Sequence, residues 1–294
     1  MLNNAADRQE NIVSESIDVA GCRRYRLEGK DPAQCYDIFE YVPATPPPPE
    51  GFPVFYVLDA NADFLLVAET VRRLSRRPSA TGVRPSIVIG IGYPGIGDYH
   101  ADRRHFDFTR GPPADDALKD RHLPACGGQA DFIRFLGDSL MPHVAGLYDI
   151  DRTAQVVLGH SLAGYFVLDL LCQCPGLFSG YVAVSPSIWW DRPAMLQSLE
   201  TAGRDLERPL RLYTTVGEWE RELAPWQGLL QAGHDYGALR RKRRMIENAE
   251  EVSRHIAEVL GAKAAVRFEI QMNEDHASTL TAALCGALRF ALPR

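Results

Sequence analysis

Residues 23–27 and 36–42 alternate apolar and polar side chains, the mark of antiparallel strands with one wet face, and predict a leading hairpin at a sheet edge. The pattern then changes. Six short runs, 53–59, 86–93, 154–159, 181–185, 210–217 and 265–272, are rich in Val, Ile and Tyr, and most lack clean alternation, as strands buried on both faces do. Between them lie helical patterns over 62–76, 130–148, 162–174, 192–201, 237–260 and 277–290. Strand and helix alternating in this way predict an α/β protein, a mostly parallel central sheet with helices on both faces. No internal repeat is visible. The linker-like stretch Pro43–Pro49 is too short to separate domains. One domain over 21–294 is therefore expected, after a polar segment 1–20 and with a helical insertion at about 221–260.

Composition removes several classes of function. With 38 acidic against 32 basic residues and a net charge of −6, the chain lacks the excess of cations that binding nucleic acid requires. Its basic cluster is a single run, Arg240-Arg241-Lys242-Arg243-Arg244. No apolar run approaches the roughly 18 residues of a membrane span, and the first residues lack the features of a signal peptide, so a soluble, cytoplasmic protein is expected. A periplasmic location is the alternative if a leader has been removed. The six cysteines form no CxxC pair, and a chain of 294 residues needs no disulfide staples, so reduced thiols are expected. There is no HExxH or His/Cys cluster, and neither a metal nor a cofactor is expected. Oligomeric state is not legible.

In sheets of this kind ligands bind beyond the carboxyl ends of the strands. After the run at 154–158 stands Gly159-His160-Ser161-Leu162-Ala163-Gly164, followed directly by a helical pattern. A serine on such a strand-to-helix turn takes a strained backbone and needs small residues two before and two after it, here Gly159 and Ala163. The bland reading is a serine capping an ordinary helix. The helix start also offers the Leu162 amide to a developing oxyanion. The base must come late in the chain, and of eight histidines only His276 follows the last predicted strand. His160 is expected to pack or to wall the pocket, because neighbours in an elbow point apart. The orienting acid should follow the strand at 210–216, where Glu220 is favoured and Glu218 is the alternative.

Taken together, the elbow, Tyr56-Val57-Leu58-Asp59-Ala60-Asn61, Ser185-Pro186-Ser187-Ile188-Trp189-Trp190, Gly217-Glu218-Trp219-Glu220 and Glu274-Asp275-His276-Ala277-Ser278 resemble the esterase-D-like branch of the α/β-hydrolases. Within that branch the chain is most similar to the enterochelin and salmochelin esterases. The resemblance runs from about residue 37 to the C-terminus. It implies the α/β-hydrolase fold, no cofactor, and a second oxyanion amide from the turn after Asp59, that of Asn61. Two positions depart from the family pattern, Ala163 and Ala60, each standing where the family has Gly. The second bears on the oxyanion turn if that position requires a positive φ.

Arg103 and Arg104 lie in a predicted loop beyond a strand end, where they could clamp an anionic substrate or form structural Arg–Asp pairs. Trp189 and Trp190 follow another strand end and could wall an aromatic ring or simply be core. The basic run could edge the entrance, although a solvated helix face paired with Glu247, Glu250 and Glu251 is the favoured reading. The expectation is a serine esterase acting through an acyl-enzyme on a small-molecule ester; the resemblance implies a catechol-type siderophore lactone, such as an enterobactin-like trilactone, as the substrate class, with a ferric siderophore as the candidate partner. A general carboxylesterase or thioesterase is the alternative, and a non-catalytic binding protein on the same fold the contrast.

Overall fold

The computed structural model describes residues 18–29, 35–115, 122–202, 206, 208–231 and 236–292. Most of the polar segment expected over 1–20 lies outside them, as do residues 232–235 of the insertion.

Eight strands form one sheet: β1 (Cys22–Glu28), β2 (Cys35–Tyr41), β3 (Phe52–Val57), β4 (Ile87–Gly92), β5 (Ile150–His160), β6 (Gly180–Val184), β7 (Leu210–Gly217) and β8 (Ala264–Gln271). Their order is β1-β2-β4-β3-β5-β6-β7-β8. The pairs β1–β2 and β2–β4 are antiparallel, and all others are parallel. This is the α/β-hydrolase arrangement. The hairpin occupies one edge, where arginines 23 and 26 of β1 pair with Glu40 and Asp37 of β2. Charge on an outer strand deters pairing with other chains.

Because successive side chains of a strand point to opposite faces, each inner strand feeds two cores. Val54 and Tyr56 of β3 join the core that includes Phe108, Phe132, Phe166 and Ile256, while Phe55 and Val57 join the core that includes Phe64, Val67, Leu284 and Leu288. The second face is thus covered by α1 (Ala60–Leu74) and α10 (Thr279–Ala291). The first is covered by α3 (Ala101–Phe108), α4 (Gln129–Phe135), α5 (Met141–Leu147), α6 (Leu162–Gln173), α7 (Arg192–Ala202) and α9 (Met245–Leu260). The short α2 (Pro78–Thr81) and α8 (Tyr236–Arg243) complete the set among the described residues.

Three sequence expectations change. The loop expected around Arg103 and Arg104 is the helix α3. The helix expected over 130–148 contains a wider π turn, Leu136–Leu140. Pro142 explains this, since it has no amide to give and its ring crowds the carbonyl four residues back. The helix expected over 237–260 breaks at Arg244, which takes a left-handed φ of 46° between α8 and α9. Among the described residues no helix is long and apolar enough to cross a membrane.

Candidate active site

Ser161 sits between β5 and α6 with φ 60° and ψ −117°, a conformation that costs a non-glycine residue free energy. Backbone bonds on both sides hold it: its amide donates to the Val184 carbonyl at 2.9 Å, and its carbonyl accepts the Ser187 amide at 3.0 Å. At Gly159 a Cβ would stand 2.5 Å from the Ala163 carbonyl oxygen, so the turn requires glycine there. The methyl of Ala163 is itself accommodated in the core.

His276 follows β8, and its Nε2 lies 3.0 Å from Ser161 Oγ. Its Nδ1 lies 2.9 Å from Glu220 Oε2. Glu220 is 2% exposed, and its other oxygen accepts the Ser185 hydroxyl at 2.5 Å and the Gly217 amide at 2.8 Å. Burial pushes this carboxyl up, but the hydrogen bond and charge of His276, with the Ser185 and Gly217 donors, outweigh it and hold the group below its ordinary value. With Glu220 ionised, Nδ1 carries the proton it donates, and Nε2 is left to accept from the serine hydroxyl. Glu218 points elsewhere. Its Oε2 accepts the Asn273 amide at 2.7 Å and so fastens the turn after β8.

His160 donates from Nε2 to the His276 carbonyl at 2.7 Å, which anchors the loop carrying that residue. Burial, and then the nearby His276, push the His160 imidazole down to about 4, so it stays neutral.

Ser161, Leu162, Glu220 and His276 open into a cavity of about 490 Å³. Leu162 and Asn61 both lie in the first turn of a helix, where amides have no intrahelical acceptor. The family model for esterases matches residues 33–278. The chain belongs to the Esterase family. It is 33% identical over 299 residues to the ferri-bacillibactin esterase BesA of Bacillus subtilis, covering 99% of this chain and 96% of that one. It is 32% identical over 253 residues to the siderophore enterobactin esterase of Emericella nidulans, with 80% of each chain covered. A solved BES protein from Bacillus cereus superposes with a TM-score of 0.83 at 29% identity, covering 96% of this chain and 100% of its own.

In this serine esterase the flanking residues divide. Arg104 lines the cavity but is tied to Asp59 by a two-pronged pair, Nη2 to Oδ2 at 2.8 Å and Nε to Oδ1 at 3.1 Å. Arg103 is not part of the cavity wall. It sits 3.6 Å from Asp107 and over the rings of Tyr36 and Tyr93, the arrangement of the Arg–Asp pair that the sequence left open beside a substrate clamp. The left-handed residue of the turn after β3 is Asp59, at φ 49°, while Ala60 already belongs to α1, so a glycine is not required at that position. The Asn61 side chain is spent on Tyr93, donating to its carbonyl at 3.0 Å and accepting its amide at 2.8 Å, and leaves only its backbone amide for other use.

Trp190 is buried and donates its indole N–H to the Gly111 carbonyl at 2.9 Å, whereas Trp189 is half-buried; both line the cavity. Arg240 and Arg243 of the basic run line it too, against the favoured reading of a wholly solvated helix face. Sequence reasoning missed Ser185 as a partner of Glu220. The signal was within the Ser185-Pro186-Ser187 motif, but the role depends on a φ of 45° at Ser185 that residue type does not announce. Among the described residues no cluster of three or more His, Cys, Asp or Glu is placed to hold a metal ion.

Proposed function

We propose that Ser161 is the nucleophile of this esterase, His276 its general base and then acid, and Glu220 the carboxylate that orients and charges the imidazole. The observation that carries this is the unbroken chain Ser161 Oγ, His276, Glu220 at 3.0 Å and 2.9 Å, opening on one cavity. In the first step the serine oxygen attacks an ester carbonyl while Nε2 takes its proton. The oxyanion is held by the Leu162 and Asn61 amides, and the leaving alcohol departs with the proton from His276. Water then repeats the sequence on the acyl-enzyme.

The substrate is a siderophore ester, a catechol-bearing lactone. The names carried by the relatives support this class, and so do Arg240, Arg243 and the two tryptophans of the cavity wall, which suit an anionic, aromatic ligand. The test compares kcat/KM on an activated short-chain ester, a formyl thioester and an enterobactin-like trilactone. A preference for the trilactone is expected. A clear preference for either short acyl compound moves the assignment to a general carboxylesterase or thioesterase.

A further inference from the structure

The basic run on α8 divides by direction. Lys242 pairs with Asp115 at 3.4 Å, and Arg244, just past the helix, pairs with Glu251 at 3.2 Å. Arg240 and Arg243, three residues apart and so on one face of the helix, turn instead into the catalytic cavity. Among the described residues neither is paired with a carboxylate. Arg240 Nη1 donates to the backbone carbonyls of Trp219 at 2.8 Å and Glu222 at 2.6 Å. The Arg243 guanidinium lies over the Trp189 ring, 4.4 Å from its centroid, and its buried Nε has no hydrogen-bond partner. Burial with no acid at hand pushes its pKa down. Of the other ionisable groups on the cavity wall, Arg104 is paired with Asp59, and Glu220 is hydrogen-bonded by His276.

A half-buried arginine without a counter-ion has lost part of its solvation, and an anion entering the cavity would offset that cost. A guanidinium held over an indole by cation–π attraction still has N–H donors to offer an anion, and the indole is an apolar surface for an aromatic ligand. Catechol hydroxyls keep their protons at neutral pH, as phenols do, whereas chelation of a trivalent metal displaces those protons and leaves a complex of net negative charge. From these residues we infer that Arg243 on Trp189, with Arg240, is an anion subsite that reads the charge state of the substrate and selects the metal-bound catecholate over the metal-free ester. This rests on the siderophore reading above.

The experiment measures kcat/KM for the metal-free and ferric forms of one tris-catechol trilactone, with active sites counted by a fluorophosphonate. Arg243→Gln is expected to lower the ratio of ferric to metal-free kcat/KM about tenfold, while Arg243→Lys, which keeps the charge, holds it within about threefold of the parent. In the parent, raising salt to about 0.5 M is expected to lower the ferric rate several-fold and the metal-free rate little. Equal losses on both forms in Arg243→Gln, or an equal salt response, overturn the subsite and leave the esterase reading standing. Failure of the titrated parent to cleave either form overturns both. If Arg243→Gln does not fold, tryptophan quenching of the Ser161→Ala protein by the two forms replaces it. Tighter, salt-sensitive binding of the ferric form supports the subsite, and equal affinities overturn it.

Discussion

Replacing Glu220 by Gln changes one atom in a site where every position is already committed. Three donors converge on the two carboxylate oxygens: His276 Nδ1 at 2.9 Å, the Ser185 hydroxyl at 2.5 Å and the Gly217 amide at 2.8 Å. A glutamine offers one acceptor oxygen and an NH₂ that only donates. If the oxygen keeps serving Ser185 and Gly217, the NH₂ faces Nδ1 and forces the ring proton onto Nε2, which then confronts Ser161 Oγ at 3.0 Å and cannot take its proton. If the amide flips, donor meets donor at Gly217, and the imidazolium formed during attack has lost its counter-charge. Either arrangement is expected to lower kcat on the order of 10³-fold, about 4 kcal/mol of barrier. Glu218→Gln retains an acceptor for the Asn273 amide and is expected to stay within a few-fold of the parent. The assay is steady-state hydrolysis of an activated ester, with active sites titrated to count folded enzyme. A Glu220→Gln rate within about fivefold of the parent, or a larger loss in Glu218→Gln, refutes the reasoning and leaves a Ser–His dyad or the other carboxylate.

Ser161→Ala is expected to lose on the order of 10³-fold or more in kcat and all fluorophosphonate labelling, with its melting transition kept, because no core volume is removed. The His160 imidazole, pushed from 6.5 to about 4, is neutral when folded, so stability is full above 6.5 and falls as pH drops toward 4, by roughly 3 kcal/mol. Denaturant titrations at several pH values should show that slope flattened in His160→Phe, whose kcat also drops as the His276 loop loses its anchor, whereas His160→Gln preserves the donor and most of the rate. Asp63 is buried with one oxygen unpartnered, and burial, then Asp59, push its carboxyl from 3.8 to about 7. The contribution of this group is therefore present at low pH and lost as pH rises through 7. Asp63→Asn should abolish that decline and be the more stable protein at pH 8, by up to roughly 4 kcal/mol, measured by the same titrations.

The sheet was legible because its inner strands are apolar on both faces and few other local structures leave such short Val- and Ile-rich runs. Helix α3 was not, because Asp102, Arg103, Arg104, His105 and Asp107 give it no apolar stripe. It is fixed instead by the Asp59–Arg104 pair and the burial of Phe108, contacts distant in sequence. The break at Arg244 escaped for a related reason, since no glycine or proline marks it. Within the site, Ser161 and His276 were readable from their places after strands, as strand ends are where this topology gathers side chains. The choice between Glu218 and Glu220 rested on how one turn after Gly217 folds back, a matter of two residues that composition does not resolve. The direction of Arg240 and Arg243 was hidden because a helix period without a packing partner does not say which face looks inward.

The three members of the proposed triad come from different depths of the sheet. Ser161 follows β5, which lies between β3 and β6; Glu220 follows β7; and His276 follows β8, the outermost strand at its end of the sheet. β8 pairs on one side only, and each of its side chains is exposed or half-buried. Opening free energies fall from the centre of a sheet toward its margins. The proposed base is therefore mounted after an edge strand and the proposed nucleophile after an inner one. Under mild denaturing stress the histidine is expected to withdraw while the serine elbow is still intact, so that turnover would report the closure of one edge before the integrity of the whole.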